Sequence, residues 1–524
     1  MTIGESRVNQ KGVVAAGHEE TARAAELILK EGGNAFDAVV AAHLAACVAE
    51  PVLSSLGGGG FLLAHTADGV DRLYDFFVQT PKRKRPVEAT DFYPISADFG
   101  TARQEFHIGP GAIATPGTVK GLFAVHKDLC TMPMTLLAEP AVELARGGVR
   151  MNAFQAYIFD IVQAIYTQSP DRCEVYRSRK DPACLLGEGE LLLQPELADS
   201  LDALAREGEA LFYHGEIGGR IARLCAQQGG HLSEADLAHY RVVKRDPLVV
   251  DYRAKTRLLT NPAPSSGGVL IAFALKQIES LDVSRYRCGT AAYLDLLARV
   301  LDVTNRARID AYLDGSGYCG ADRLFDSRCL ADYRAQILGR PLCSRGTTHM
   351  SIIDGKGNLA SLTTSNGEGC GHFIAGTGIM LNNMLGEEDL NPGGFHRWPE
   401  DQRMTSMMAP SMIFGADGRS IALGSGGSNR IRSALLQVLL NLIDFGMDLE
   451  TAVRHPRIHY EGGHLSVEGG LADEEVQRLV SRYSDHKLWP QRTLFFGGVH
   501  SAARAAGGCS GVGDPRRGGA SVVV

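Results

Sequence analysis

Residues Arg345–Ser365 read RGTTHMSIIDGKGNLASLTTS: a glycine, two threonines, then two alternating runs around a D-G-K-G turn. Alternation with period two on both sides of a glycine-bearing turn predicts a β-hairpin. The hairpin starts abruptly at Gly346-Thr347-Thr348, and that start has a chemical reading. A threonine hydroxyl is a weak nucleophile until a base takes its proton. If Thr347 is the first residue of its own chain, it carries an α-amine with an ordinary pKa of about 7.7–8.0. That is close to working pH, where a general base is most effective. No histidine is then needed, but a cut between Gly346 and Thr347 is. The Thr347 hydroxyl can make the cut by attacking the Gly346 carbonyl, moving the bond from nitrogen to oxygen, after which water hydrolyses the ester. Glycine at 346 tolerates the strained backbone this requires. Alone, Gly-Thr-Thr in a loop is a weak signal.

The rest of the chain sets the frame. Its 524 residues suffice for a large buried core, and 44% apolar with 22% charged residues is ordinary globular composition. The 61 glycines exceed the usual ~7% share but follow no period, so they read as turns and close backbone approaches. A net charge of -7 gives no electrostatic footprint for nucleic acid. The one basic run, Lys82-Arg83-Lys84-Arg85, reads as a solvated loop. The first residues show neither a basic nor an apolar signal region. The longest apolar helix candidate, Ala35–Ala49, carries Asp37 and His43 and is shorter than the ~20 residues of a membrane span. Eleven cysteines without a C-x-x-C pair fit a reducing compartment. A soluble, cytoplasmic protein without a nucleic-acid or membrane partner is expected.

Helical patterns dominate the first half, with strands near 61–78. Short strands and Gly/Asp/Asn turns dominate after Thr347, broken by one long helix after GSGGSNR. That distribution predicts an α+β or layered α/β fold. Most standard motifs fall away. GSGYCG at Gly315–Gly320 follows a helical segment instead of a strand, and Gly57–Gly60 lacks the Lys-Ser/Thr of a phosphate loop. No G-x-S-x-G elbow occurs. Histidines 18, 43, 65, 107, 126, 349 and 372 show no metal-ligand spacing. No metal or cofactor is expected.

Several blocks occur in order between Gly12 and Arg517: GGNAFDAVVAAHLAACVAEP, SSLGGGGFLLAH, IATPGTVKGLFAVHKDLCTMP, NPAPSSGGV, TTHMSIIDGKGNLASLTT, GTGIMLNN, TSMMAPSMIF, GSGGSNRI and GDPRRGGAS. Together they resemble the γ-glutamyltransferase family of N-terminal-nucleophile hydrolases. The resemblance implies a four-layer αββα fold made jointly by two pieces of one self-cleaved precursor. These are a large subunit 1–346 and a small subunit 347–524, with a dimer of such heterodimers left open. It implies an acyl-enzyme on Thr347 and amide hydrolysis or acyl transfer on a small-molecule substrate. Ser365 takes the place of the second hydroxyl. The oxyanion glycines fall on Gly426 and Gly427, with Gly427 and Ser428 allowed by the count.

The departures concern the acyl pocket. Phe77 stands where the family has a carboxylate-clamping arginine, and Glu387 where an aspartate takes the substrate ammonium. Met384 replaces a polar amide beside Asn383. The expected asparagine becomes Gly367, with Asn366 one residue away, and Thr405 and Ser406 stand for the serine pair. Arginine suits carboxylates because its planar fork meets both oxygens. Its loss predicts weak activity on γ-glutamyl amides and a different acyl group, dicarboxylic or aromatic. Two alternatives stay open: a true γ-glutamyl enzyme with a displaced clamp such as Arg83, and a non-processing relative that binds a metabolite. Phe77 can also be read as a core residue that never meets the pocket.

Overall fold

The computed structural model describes residues 10–98, 103–167, 174–279, 281, 283–313, 324–325, 347–391 and 393–524. Gly346 and the GSGYCG stretch lie outside them. The N-terminal sequence builds two helices, Glu19–Lys30 and Ala35–Ala49. Gly32 separates them at φ +94°, the left-handed backbone a helix end favours in glycine. Asn34 opens the second helix with a capping box closed by Asp37. Every residue from Ala35 to Ala49 is buried, so its all-round apolar surface belongs to the protein core. Among the described residues no helix is long and apolar enough to cross a membrane.

Two sheets carry the molecule. One has seven strands in the order 520–523, 12–16, 348–354, 359–365, 59–65, 71–76 and 243–245. The other has six, in the order 508–512, 498–505, 420–426, 411–415, 256–260 and 248–252. All their pairings are antiparallel. The sheets pack face to face, with helices 19–30, 35–49 and 118–129 on one outer side and 266–279, 430–443 and 449–454 on the other. This is the four-layer αββα arrangement. Strand alternation divides the core accordingly. Phe61 and Leu63 belong to the cluster reaching the second sheet, and Leu62 and Ala64 to the cluster under the first helices. Both sheets take strands from before and after the Gly346–Thr347 bond.

The seam between the sheets turns polar near Thr347. His349 bonds Thr363 Oγ1 through Nδ1 (2.8 Å) and Ser351 Oγ through Nε2 (2.8 Å). Ser351 donates to the His500 carbonyl of the second sheet (3.2 Å), and Ser361 to that of Leu423 (3.1 Å). Gly424 gives the His349 ring its space, since any Cβ there would strike it. Burial holds His349 well below the usual imidazole range and lowers His500 to about 4.

Candidate active site

Thr347 precedes the Thr348–Asp354 strand directly, and the two threonines face opposite ways, as consecutive strand residues do. Thr348 is spent on structure. Its hydroxyl donates to Glu50 Oε2 (2.6 Å), while Thr21 donates to Oε1 (2.8 Å). Burial raises the Glu50 carboxyl, and these hydroxyls with Arg517 pull against it. Thr347, 4% exposed, lines a cavity of about 30 Å³.

The hairpin register brings Ser365 to the same place. Thr348 pairs with Thr364, so one step further sets Ser365 across from Thr347. Ser365 also lines the cavity, and its Oγ accepts the Gly367 N–H (3.0 Å). The wall beside Thr347 is the end of the Ser420–Gly426 strand. Any Cβ on Gly426 would strike the Thr347 carbonyl, so glycine is what allows this approach. The chain then turns through Gly427 (φ +119°) and Ser428 (φ +50°) into the Arg430–Ile443 helix. Arg517 Nη1 donates to the Thr347 carbonyl (3.0 Å). Arg517 is held by its neighbours: Asp514 caps its turn, Arg457 pairs with Asp514 (2.7 Å), and Arg516 pairs with Glu468. Burial lowers the Arg517 guanidinium to about 10.

The remaining lining is Phe77, Met384, Glu387, Asp389, Leu390, Ser406, Met407, Met408, Ser428 and Ile431. Phe77 therefore meets the cavity while stacking on Phe61 (ring centroids 5.4 Å apart). Among the described residues no basic side chain lines this cavity, and two carboxylates do. Arg403, three residues before Ser406, binds the Phe77 carbonyl, Tyr240, the Arg241 carbonyl and Asp75. Within the basic run, the Lys84 ammonium lies over Trp398 (4.7 Å) and Arg85 Nη2 donates to the Ala226 carbonyl (3.4 Å).

Not every expected residue lines the cavity. Asn383 is tied to backbone, accepting the Glu368 N–H (3.0 Å) and reaching the His107 carbonyl (3.4 Å). Gly367 sits at φ +64°, and a Cβ there would meet the side-chain oxygens of Asn383 and Glu387, which would have to move. Asn366 is buried against Gly58, and its amide has no hydrogen-bond partner among the described residues. Thr405 stays outside the lining, whereas Ser406 is inside and accepts Met408 N–H (3.1 Å). Sequence reasoning did not single out Asp389, Glu50 or Arg517, although Glu50 and Arg517 fall inside the blocks GGNAFDAVVAAHLAACVAEP and GDPRRGGAS.

A larger groove of about 900 Å³ lies between residues 372–378 and the Glu216–Gln227 helix. Among the described residues its lining offers no hydroxyl, thiol or amine.

Known proteins point to the same chemistry. The gamma-glutamyltranspeptidase family model matches residues 21–524. The acylase ACY 1 proenzyme of Pseudomonas sp. (strain V22) is 31% identical, over 91% of this chain and 87% of its own length. The glutathione hydrolase proenzyme of Escherichia coli (strain K12) is 30% identical, over 90% and 85%. The fold matches cephalosporin acylase from Bacillus halodurans with a TM-score of 0.83 at 23% identity, covering 100% of this chain and 98% of the other. Helicobacter pylori gamma-glutamyltranspeptidase gives 0.54 at 26% identity, covering 64% and 94%.

Proposed function

The chain belongs to the gamma-glutamyltranspeptidase family, and from that premise we propose that its amide cleavage runs through Thr347. The enzyme is an N-terminal-nucleophile amidohydrolase and acyltransferase. Its precursor cuts itself after Gly346 and works as a heterodimer of 1–346 and 347–524, as the proenzyme names of its relatives support. The seven described cysteines are free thiols, which supports a reducing, cytoplasmic setting.

Each step uses groups at the cavity. In the precursor, Thr347 Oγ attacks the Gly346 carbonyl, the C–N bond breaks, and water hydrolyses the resulting ester. The freed α-amine of Thr347 then takes the Thr347 hydroxyl proton, Oγ attacks the substrate amide carbonyl, and the backbone N–H groups of Gly426 and Gly427 receive the oxyanion. An oxyanion donor is worth ~2.7–4 kcal/mol in such a transition state. The amine passes its proton to the leaving nitrogen, and water or an amine acceptor releases the acyl group. Ser365 hydrogen-bonds the α-amine and orients it.

The observation that carries this reading is the meeting of two hydroxyls, Thr347 and Ser365, in one buried cavity, with the Gly426 backbone packed against the Thr347 carbonyl. For the acyl group, the cavity favours one without a carboxylate. Phe77, Met384 and Met407 are apolar, Glu387 is acidic, and a second carboxylate held against it is repelled. Dicarboxylic acyl groups are thereby disfavoured. Ser406 serves as a polar contact, with Asn366, Asn383 and Thr405 holding the walls behind it.

The test is Thr347→Ala. One hydroxyl serves both reactions, so the variant stays a single chain and turns over none of a panel of γ-glutamyl, glutaryl, phenylacetyl and lysyl p-nitroanilides. Turnover by the uncut variant ends the proposal.

A further inference from the structure

The loop after Asn383 does two things at once. Glu387 faces the cavity, and two residues later Asp389 reaches across to the start of the Arg430–Ile443 helix. Its Oδ2 accepts the Ser428 hydroxyl (2.6 Å), and its Oδ1 accepts Asn429 Nδ2 (3.3 Å). Ser428 has reason to be held. At φ +50° it occupies the left-handed region that a residue with a Cβ enters only at a cost, directly after Gly427 at φ +119°. These residues continue the chain from Gly426, whose backbone lies on the Thr347 carbonyl.

Both ends of the contact are anchored. Asn391 Nδ2 donates to the carbonyls of Met384 (3.1 Å) and Glu387 (2.7 Å), closing the loop that carries Asp389. On the other side, Asn429 Nδ2 also reaches Glu461 Oε1 (3.4 Å), and Glu461 pairs with Arg432 (3.1 Å), all buried. A carboxylate at the first turn of a long helix is electrostatically favoured as well.

We propose that Asp389 is the positioning residue of the oxyanion loop. Its carboxylate fixes Ser428 in the left-handed turn, and that turn sets the Gly426–Gly427 amides against the carbon that Thr347 attacks. Because Glu387 and Asp389 share one short, tied loop, the acyl-recognition wall and the oxyanion wall move as one body. The proposal rests on the assignment of Thr347 as nucleophile, and it assigns Asp389 no contact with substrate.

The experiment compares Asp389→Ala, Asp389→Asn, Ser428→Ala and the double variant Asp389→Ala/Ser428→Ala in the full-length chain. The readouts are the processed fraction on a gel and kcat and KM for the p-nitroanilide the wild type hydrolyses fastest. A transition-state donor displaced by about 1 Å costs up to ~100-fold, so Asp389→Ala should lose about 10–100-fold in kcat. KM should stay within about threefold, and the processed fraction should fall. Acting through Ser428, the loss from Asp389→Ala should shrink to about threefold or less in the Ser428→Ala background, since contacting residues are non-additive. Wild-type kcat in Asp389→Ala, losses that multiply in the double variant, or a rise in KM alone would each overturn the proposal. If Asp389→Ala does not fold, Asp389→Asn decides. It keeps one acceptor and should lose kcat severalfold, and wild-type kcat refutes the idea. A Thr347→Ala protein that still turns over removes the underlying function; an inert Thr347→Ala beside a fully active Asp389→Asn removes only this inference.

Discussion

The two ends of the cavity are built from different materials. At the reactive end, Thr347 and Ser365 are set by strand register, Gly426 by a backbone approach that admits no side chain, and Arg517 by a buried bond to the Thr347 carbonyl. At the acyl end, Phe77, Met384, Glu387 and Met407 are side chains on the walls of a packed core. Backbone geometry cannot change without the sheets moving, whereas wall side chains can be exchanged for others of similar volume. Chemistry is therefore fixed where backbone fixes it, and specificity is free to drift where side chains do.

The sharpest way to break this contrast is to attack the reactive end. Thr347→Ala should remove both self-cleavage and turnover, the largest effect expected. Gly426→Ala comes next, because its methyl would strike the Thr347 carbonyl. It should lose at least ~100-fold in kcat, the scale of an oxyanion donor. Gly219→Ala, in a helix with open space around it, is the control and should keep full activity with slightly higher stability. Equal activity in the two glycine variants would show that the Gly426 approach does not matter.

At the acyl end, change should redirect instead of destroy. Phe77→Arg restores a fork beside Glu387 and should raise kcat/KM for γ-glutamyl-p-nitroanilide by about 10-fold or more, the scale of a charged hydrogen bond. Hydrolysis of phenylacetyl-p-nitroanilide should fall. An unchanged ratio of the two would show that residue 77 does not select the acyl group.

The smallest effect separates the ends by pH. His349 and His500 lie in the seam beneath the reactive end, and burial keeps both from protonating in the ordinary range, His500 down to about 4. Above pH ~6.5 neither folded nor unfolded imidazole is charged. Below it the unfolded chain gains protons that the folded chain refuses, so stability should fall from about pH 6.5 towards 4. Thermal unfolding at several pH values should show this slope equally in wild type and Phe77→Arg. A stability independent of pH across that window would contradict the burial of these rings as neutral groups.

Much of the fold was legible. The apolar Ala35–Ala49 helix candidate and the glycine-turn hairpin are local signals, and the helix and strands they predict are present. The order of the sheets was not legible, because neighbours such as 59–65 and 359–365 lie hundreds of residues apart. The same distance hid Glu50 and Asp389. Only the return of the chain brings Thr348 to Glu50 and Ser428 to Asp389. Asn383 and Gly367 mislead in another way. The pattern marks their places, yet the asparagine braces backbone and the glycine is needed for its left-handed φ.

The central claim is that one threonine both frees its own amine and then uses it. Intact mass and N-terminal sequencing of the purified wild-type protein test this most directly. Two chains should appear, residues 1–346 and 347–524, the shorter one beginning Thr-Thr-His-Met. An active protein that remains one unbroken chain, or a small chain beginning at any other residue, contradicts it.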